Sequence, residues 1–355
     1  MAAGGGARST AGREREAAMT GEGRNGSAGR SAGADIVVGI DGSPGSESAL
    51  RWAVTEASRR GARVRAVLGS CPHEQPSAVR RWADATAGPH DEGTLAQAAG
   101  QVLHEALTDV ELPPGLAVVE EVVDAPGSEA LLTAGRDAEM IVVGTRGRGL
   151  LHRLRIGSVS ASVAVHSPVP VVVARAPRTG DEDDAAEPAG SGGPSGPQPH
   201  TSDAPPRPVV VGVDGSPNSL AALRWAADEA VLRGAPLHVV HAWLAAVPLP
   251  FAETSGDIVA ALEDQARAML DDSIAQVIGA AAGPGQDGPA APTPSVRRVL
   301  VAASATRALL EESRDADLLV VGARGRGGFA ELLLGSVSHQ TMLHATAPVA
   351  IIHGR

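Results

Sequence analysis

Residues 36–52 read IVVGIDGSPGSESALRW, and residues 209–225 read VVVGVDGSPNSLAALRW. The two stretches agree at 12 of 17 positions and lie 173 residues apart. Each opens on a short continuous apolar run, as expected of a strand buried on both faces. A glycine-rich turn follows, then a helical pattern with Ala49, Leu50, Ala53, Val54 and Ala57 on one face. A second pair of stretches repeats further on. Residues 141–158 (IVVGTRGRGLLHRLRIGS) match residues 319–336 (LVVGARGRGGFAELLLGS) at 10 of 18 positions. The chain is therefore an internal duplication of a domain of roughly 140 residues, too long a period for a solenoid.

Outward from these landmarks the first copy alternates strands and helices. The pattern predicts strands at 36–40, 64–68, 118–123, 140–143 and 170–174, and helices at 46–60, 94–110, 128–136 and 158–166. Thr94 stands where an N-cap would, with Gln97 at the capping-box position. The second copy repeats the order, with a helix predicted over 258–278. Alternation of this kind implies a parallel sheet covered by helices on both faces. Ligands of such sheets bind at the carboxyl ends of strands, where the strand order reverses. Residues 72–93 and 246–256 read as loops after the second strand, the first polar with Trp82, the second apolar with Phe251.

The rest of the 355 residues bounds the domains. Residues 1–34 lack Val, Ile, Leu, Phe and Trp, and 176–207 hold seven prolines and the acidic cluster Asp181–Asp184. Neither can bury enough apolar surface to offset chain entropy, so a disordered tail and a disordered linker are expected there. The expected domains are 35–175 and 208–355. No apolar signal core and no run long enough for a membrane span are present, which makes the cytoplasm the simplest location.

Composition excludes several chemistries. There is no lysine, so P-loop, Schiff-base and kinase-type lysines are out. The formal net charge is −11 and only six residues are Phe or Trp, with no Tyr, which argues against nucleic-acid and anionic-membrane partners. Cys71 is the one cysteine, so an intrachain disulfide is impossible.

The sharpest motif follows the fourth strand. Gly144-x-x-Gly147, nine residues and Gly157-Ser158 recur as Gly322-x-x-Gly325, nine residues and Gly335-Ser336. A glycine at a strand end lets backbone approach a ligand without a Cβ. The loop then returns to a helix N-terminus, whose open N–H groups and dipole attract anions. Arg146, Arg148, Arg324 and Arg326 add charge, and Gly149 and Gly327 extend the RGRG runs. The spacing is kept while the filler diverges, which points to phosphate binding. A plain glycine turn with Ser158 as N-cap stays open as the structural alternative. After the first strand come Gly39 with Asp41 and Gly212 with Asp214. These carboxylates could meet a ribose, an adenine edge or a Mg²⁺ held on phosphates, or else cap the next helix.

Trp52 and Trp225 are equivalent and suit core or interdomain packing; His166 and His344 suit a helix C-terminus.

On these residues both copies resemble the universal stress protein domain, in its ATP-binding branch, over nearly all of the foldable chain. The resemblance implies two tandem flavodoxin-like (Rossmann-like) α/β domains. Each would be a five-stranded parallel sheet of order 3-2-1-4-5 with helices on both faces, binding ATP between strands one and four. It assigns phosphate contacts to Gly147, Gly157, Ser158 and Val159, and to Gly325, Gly335, Ser336 and Val337. Gly144 and Gly322 would lie beside the ribose, Asp41 and Asp214 at the adenosine end, and Gly69 and Ala242 would offer backbone to adenine. Mg²⁺ on the phosphates at Asp41 and Asp214 stays an option from the residues themselves. Family members dimerise through the fifth strand. Here the two copies could pair within one chain as a pseudo-dimer, with a homodimer and an unidentified protein partner still open. The expected function is an ATP-binding regulator of a cytoplasmic stress response, with no convincing catalytic base. The alternatives are a slow ATPase and a nucleotide-free interaction scaffold.

Overall fold

Five short segments in each half become strands. The computed structural model describes residues 35–86, 92–145, 156–175, 206–243, 255–279, 292–326 and 334–354. The tail over 1–34 and nearly all of the linker lie outside them. The first half runs β1 (Asp35–Gly39), α1 (Pro44–Arg60), β2 (Arg63–Gly69), α2 (Ser77–Ala85), α3 (Glu92–Thr108), β3 (Val118–Val123), α4 (Gly127–Ala134), β4 (Met140–Gly144), α5 (Ser158–His166) and β5 (Val171–Ala174). The second runs β6 (Val209–Gly212), α6 (Pro217–Arg233), β7 (Leu237–Trp243), α7 (Ser255–Val277), β8 (Val296–Ala302), α8 (Ala305–Glu312), β9 (Leu318–Gly322), α9 (Ser336–His344) and β10 (Val349–Ile352).

Within each half all strands are parallel, in the order third, second, first, fourth, fifth. The halves do not keep separate sheets. β5 and β10 pair antiparallel, Val171 opposite Ile351 and Val173 opposite Val349, so one sheet of ten strands crosses the molecule. Both strands are fully buried and apolar, and each covers the edge the other would expose. One face of the sheet packs on α1, α3, α6 and α7 through Leu50, Leu103, Leu223 and Leu270. The other packs on α4, α5, α8 and α9 through Leu131, Val163, Leu309 and Met342.

Local chemistry sets the first helix of each half. Ser43 caps α1, accepting from the Ser46 N–H at 3.3 Å, while the Ser43 N–H donates to Ser46 Oγ. Pro44 begins the helix, where no N–H is needed, and Gly61 ends it at φ 64°. Ser216, Pro217 and Gly234 repeat the design in α6.

Two expectations need correction. Residues 77–85 form α2 rather than polar loop, because Val79 and Ala83, four apart, are buried and Trp82 packs beside them. Thr94 is no N-cap, since α3 already begins at Glu92.

The seam between the halves holds a feature the sequence pattern did not single out. Glu56 and Arg60 on α1 meet Glu229 and Arg233 on α6 (the same positions, 173 residues on), and all four side chains are buried. Each arginine bonds the other half's glutamate: Arg60 to Glu229, and Arg233 Nη2 to Glu56 Oε2 at 2.7 Å. Glu139 and Asp317, equivalent and half-buried, flank the group on Arg60 and Arg233. Burial raises the pKa of Glu56, but Arg233, Arg60 and Arg59 outweigh it and hold the carboxyl below its usual value. At Glu229 burial dominates and pushes the carboxyl up. The Arg233 guanidinium also lies 5.9 Å from the Trp52 ring centroid, so Trp52 packs at this seam.

Candidate functional site

β6 and β9 are neighbours, and the connections leaving them pass to opposite faces of the sheet. A crevice opens above their carboxyl ends, with a cavity of about 710 Å³. Every described second-half residue expected at a site lines it: Gly212, Asp214, Ala242, Gly322, Arg324, Gly325, Arg326, Gly335, Ser336 and Val337. Val240, Val321 and Leu309 add apolar walls, and Asn218, Ser219, Ala305 and Ser338 add to the lining. The sequence reading missed these. Ala305 and Leu309 come from α8, which begins shortly after the edge strand β8 and which the repeated order implies without any motif to mark it.

The polar rim is built from backbone. α9 starts at Gly335, whose N–H donates to Ala323 O at 2.8 Å, and no side chain caps the helix. Ser336 is the first helical residue. Its equivalent Ser158 likewise follows the N-cap Gly157, so the reading of Ser158 as N-cap is corrected. The serine at the third position of each helix does the anchoring instead. Ser338 Oγ donates to Gly322 O at 2.6 Å, and Ser160 Oγ to Gly144 O at 2.7 Å, which pins each helix start to its strand end. No side chain caps the N–H groups of the first turn, and Ser336 and Val337 line the same cavity as Arg324 and Arg326.

Asp214 ties the two loops of the crevice together. Its Oδ1 accepts from the Ser216 N–H at 3.0 Å and its Oδ2 from the Arg326 N–H at 2.9 Å. Burial raises its pKa, yet the hydrogen bonds from Ser216, Arg326 and Ser219 outweigh this and hold the carboxyl below its usual value. The serines, not the aspartates, cap the helices. In the first half Asp41 keeps the local half of this arrangement, accepting from the Ser43 N–H at 2.9 Å. Both oxygens of Asp214 are engaged, and among the described residues no group of three or more His, Cys, Asp or Glu gathers.

The glycines divide by what a Cβ would meet. At Gly144 it would stand 2.2 Å from Gly45 O, and at Gly322 2.8 Å from the Asn218 carbonyl carbon. These two glycines let the fourth strand touch the first helix, whatever else lies beside them. Gly39 and Gly212 make room for Leu131 and Leu309, and Gly69 for the start of α4. Gly335 is different, since its Cβ would meet nothing nearer than 3.4 Å. In the first half Gly157, Ser158 and Val159 hold the equivalent places on α5. Arg146, Gly147, Arg148 and Gly149, and Gly327 in the second half, lie outside the described residues.

Comparison with known proteins fits this duplicated geometry. The model of the universal stress protein family matches residues 34–175 and again 206–353. The chain belongs to the universal stress protein family. A universal stress protein of Mycolicibacterium smegmatis is 33% identical over 330 residues, covering 90% of this chain and 97% of its own. A universal stress protein of Mycobacterium tuberculosis is 33% identical over 322 residues, covering 89% and 96%. Among solved structures, a universal stress protein of Archaeoglobus fulgidus superposes with a TM-score of 0.51 at 18% identity, covering 90% of this chain and 98% of that one. That likeness shows the shared fold. No described helix is long and apolar enough to cross a membrane.

Proposed function

We propose that the chain binds ATP in the crevice of each half, and that nucleotide occupancy regulates a cytoplasmic stress response. Family membership supports the stress-response role. One observation carries the nucleotide reading. The 710 Å³ cavity joins apolar walls at Val240, Val321 and Leu309 to an uncapped helix N-terminus flanked by Arg324 and Arg326. Its size falls within the roughly 300–1,000 Å³ of small-molecule sites. The apolar end suits a base, and the helix N-terminus suits phosphates. Gly325, Gly335, Ser336 and Val337 would hold the phosphates and Ala242 the base. Gly147, Gly157, Ser158 and Val159 would act likewise in the first half. Bound ATP would supply a charged polyphosphate that links the β9–α9 loop to α9 across the crevice.

Titration calorimetry of the full chain with ATP tests this. Saturable binding is expected, weakened in Gly325→Val and again in Gly147→Val. A Cβ at Gly325 would stand 2.5 Å from Asp214 Oδ2, in the cradle itself. Absence of binding by the wild type, or unchanged affinity in both variants, would overturn the reading.

A further inference from the structure

The ten-stranded sheet ends on two edges, β3 and β8, with no described strand outside either. Unpaired edge strands offer rows of N–H and C=O groups to another chain. β3 reads VVEEVV and β8 reads VRRVLVA, both without proline. Val119 and Val122 on β3 are 43% and 39% exposed. The two edges differ in sign. Glu120 and Glu121 stand at the middle of one, Arg297 and Arg298 on the other.

Direction and parity then fix how two copies could meet. The strands of each half are parallel, and the halves join antiparallel, so β3 and β8 run in opposite directions. A second copy set with its β8 beside β3 therefore pairs antiparallel and keeps the faces of the sheet aligned. Val118, Val296 and Leu300 pack on one core, whereas Val123, Val299 and Val301 pack on the other. Side chains alternate along a strand, so Glu120 and Arg298 share the first face, and Glu121 and Arg297 the second. A single register satisfies both pairs. With Glu120 opposite Arg298, Glu121 falls opposite Arg297, Val118 opposite Leu300, Val119 opposite Val299 and Val122 opposite Val296. A slip of two residues sets the charges against aliphatic side chains, and a slip of one exchanges the faces. Pairing β3 with β3 or β8 with β8 sets like charges together, which is unfavourable.

We propose that a second copy of this chain docks its β8 edge on β3, extending the sheet end to end. The charges already have local partners. Glu121 reaches Arg65 at 2.7 Å, Glu120 His104 at 3.4 Å, Arg297 Glu312 at 3.2 Å and Arg298 Asp271 at 2.7 Å. These are surface pairs of small net worth, and the incoming charges extend them into wider networks. The contact joins two different surfaces, so it builds open chains of copies rather than a closed dimer.

Sedimentation velocity of the full chain over a concentration series tests the proposal. The mean mass rises past a dimer with concentration and falls with added salt. E120R/E121R and R297E/R298E each weaken association by at least about tenfold, since both cross-strand pairs turn repulsive. An equimolar mixture of the two variants associates again, because each then offers the edge the other needs. The fourfold variant E120R/E121R/R297E/R298E also associates with itself, which separates lost docking from lost folding. A wild type that stays monomeric throughout, one that stops at a dimer, variants that associate as the wild type does, or a mixture no better than either variant alone would each overturn it.

Discussion

Replacing Arg60 with methionine removes one charge from the sealed seam between the halves. Arg60 is 1% exposed and bonds Glu56, Glu229 and Glu139 at once. Without it Glu56 and Glu229, themselves about 1% and 0% exposed, keep only Arg233 between them, apart from the more exposed Arg59. Breaking a buried pair from one side costs about 3–5 kcal/mol, because the orphaned charge must be desolvated or must take up a proton. At roughly 2.1 cal/mol/K per residue over the about 290 residues of the two domains, a loss of 4 kcal/mol lowers Tm by about 7 °C. Replacing all four members, as E56L/R60M/E229L/R233M, leaves no fully buried orphan, since the half-buried Glu139 that loses Arg60 still reaches solvent. Asp317 is likewise only partly exposed and keeps Arg59, and the change is expected to cost less than Arg60→Met alone. Urea unfolding of the three proteins measures both differences. An Arg60→Met cost below about 1 kcal/mol, or a fourfold variant less stable than the single one, would refute the argument that desolvation governs this seam.

Asp214→Asn turns an amide NH₂ toward one of the two N–H groups the carboxylate now accepts, and is expected to cost about 1–3 kcal/mol at pH 7. The folded pKa lies below the unfolded one, so the carboxylate's contribution is present above about pH 4 and fades as pH falls through the folded value. Unfolding curves of wild type and variant should therefore converge in acid; a constant gap between pH 7 and pH 3 contradicts this. Gly144→Ala drives a Cβ into Gly45 O and is expected to destabilise by about 1–3 kcal/mol or more, read by thermal unfolding. Gly335→Ala has room and ordinary dihedrals, so its stability should stay within about 0.5 kcal/mol of wild type while ATP affinity, measured by calorimetry, falls.

The parts of the fold that repeat were readable from the chain, because both copies spell the same strand, turn and helix at the same spacing. Ser43 with Pro44 and Ser216 with Pro217 mark their helix starts by local chemistry alone. The seam was not readable in that way. Glu56 and Arg60 look like a surface pair on α1, and only the pairing of β5 with β10 brings their copies on α6 against them. The signal was present as E-x3-R at the same place in both copies. α2 was missed because it has only Val79 and Ala83 to bury and no side-chain cap at Pro76. Within the crevice the glycines were found, but their spacing could not separate a glycine that admits backbone, such as Gly322, from one with open space, such as Gly335.

The claim on which the functional reading stands is that both halves hold a nucleotide on backbone cradles. Native mass spectrometry of the full chain, before and after addition of ATP, tests it most directly. The account predicts up to two ATP masses per chain, reduced to one in Gly325→Val. A chain that gains no nucleotide mass at saturating ATP, or a Gly325→Val chain that still carries two, would contradict it.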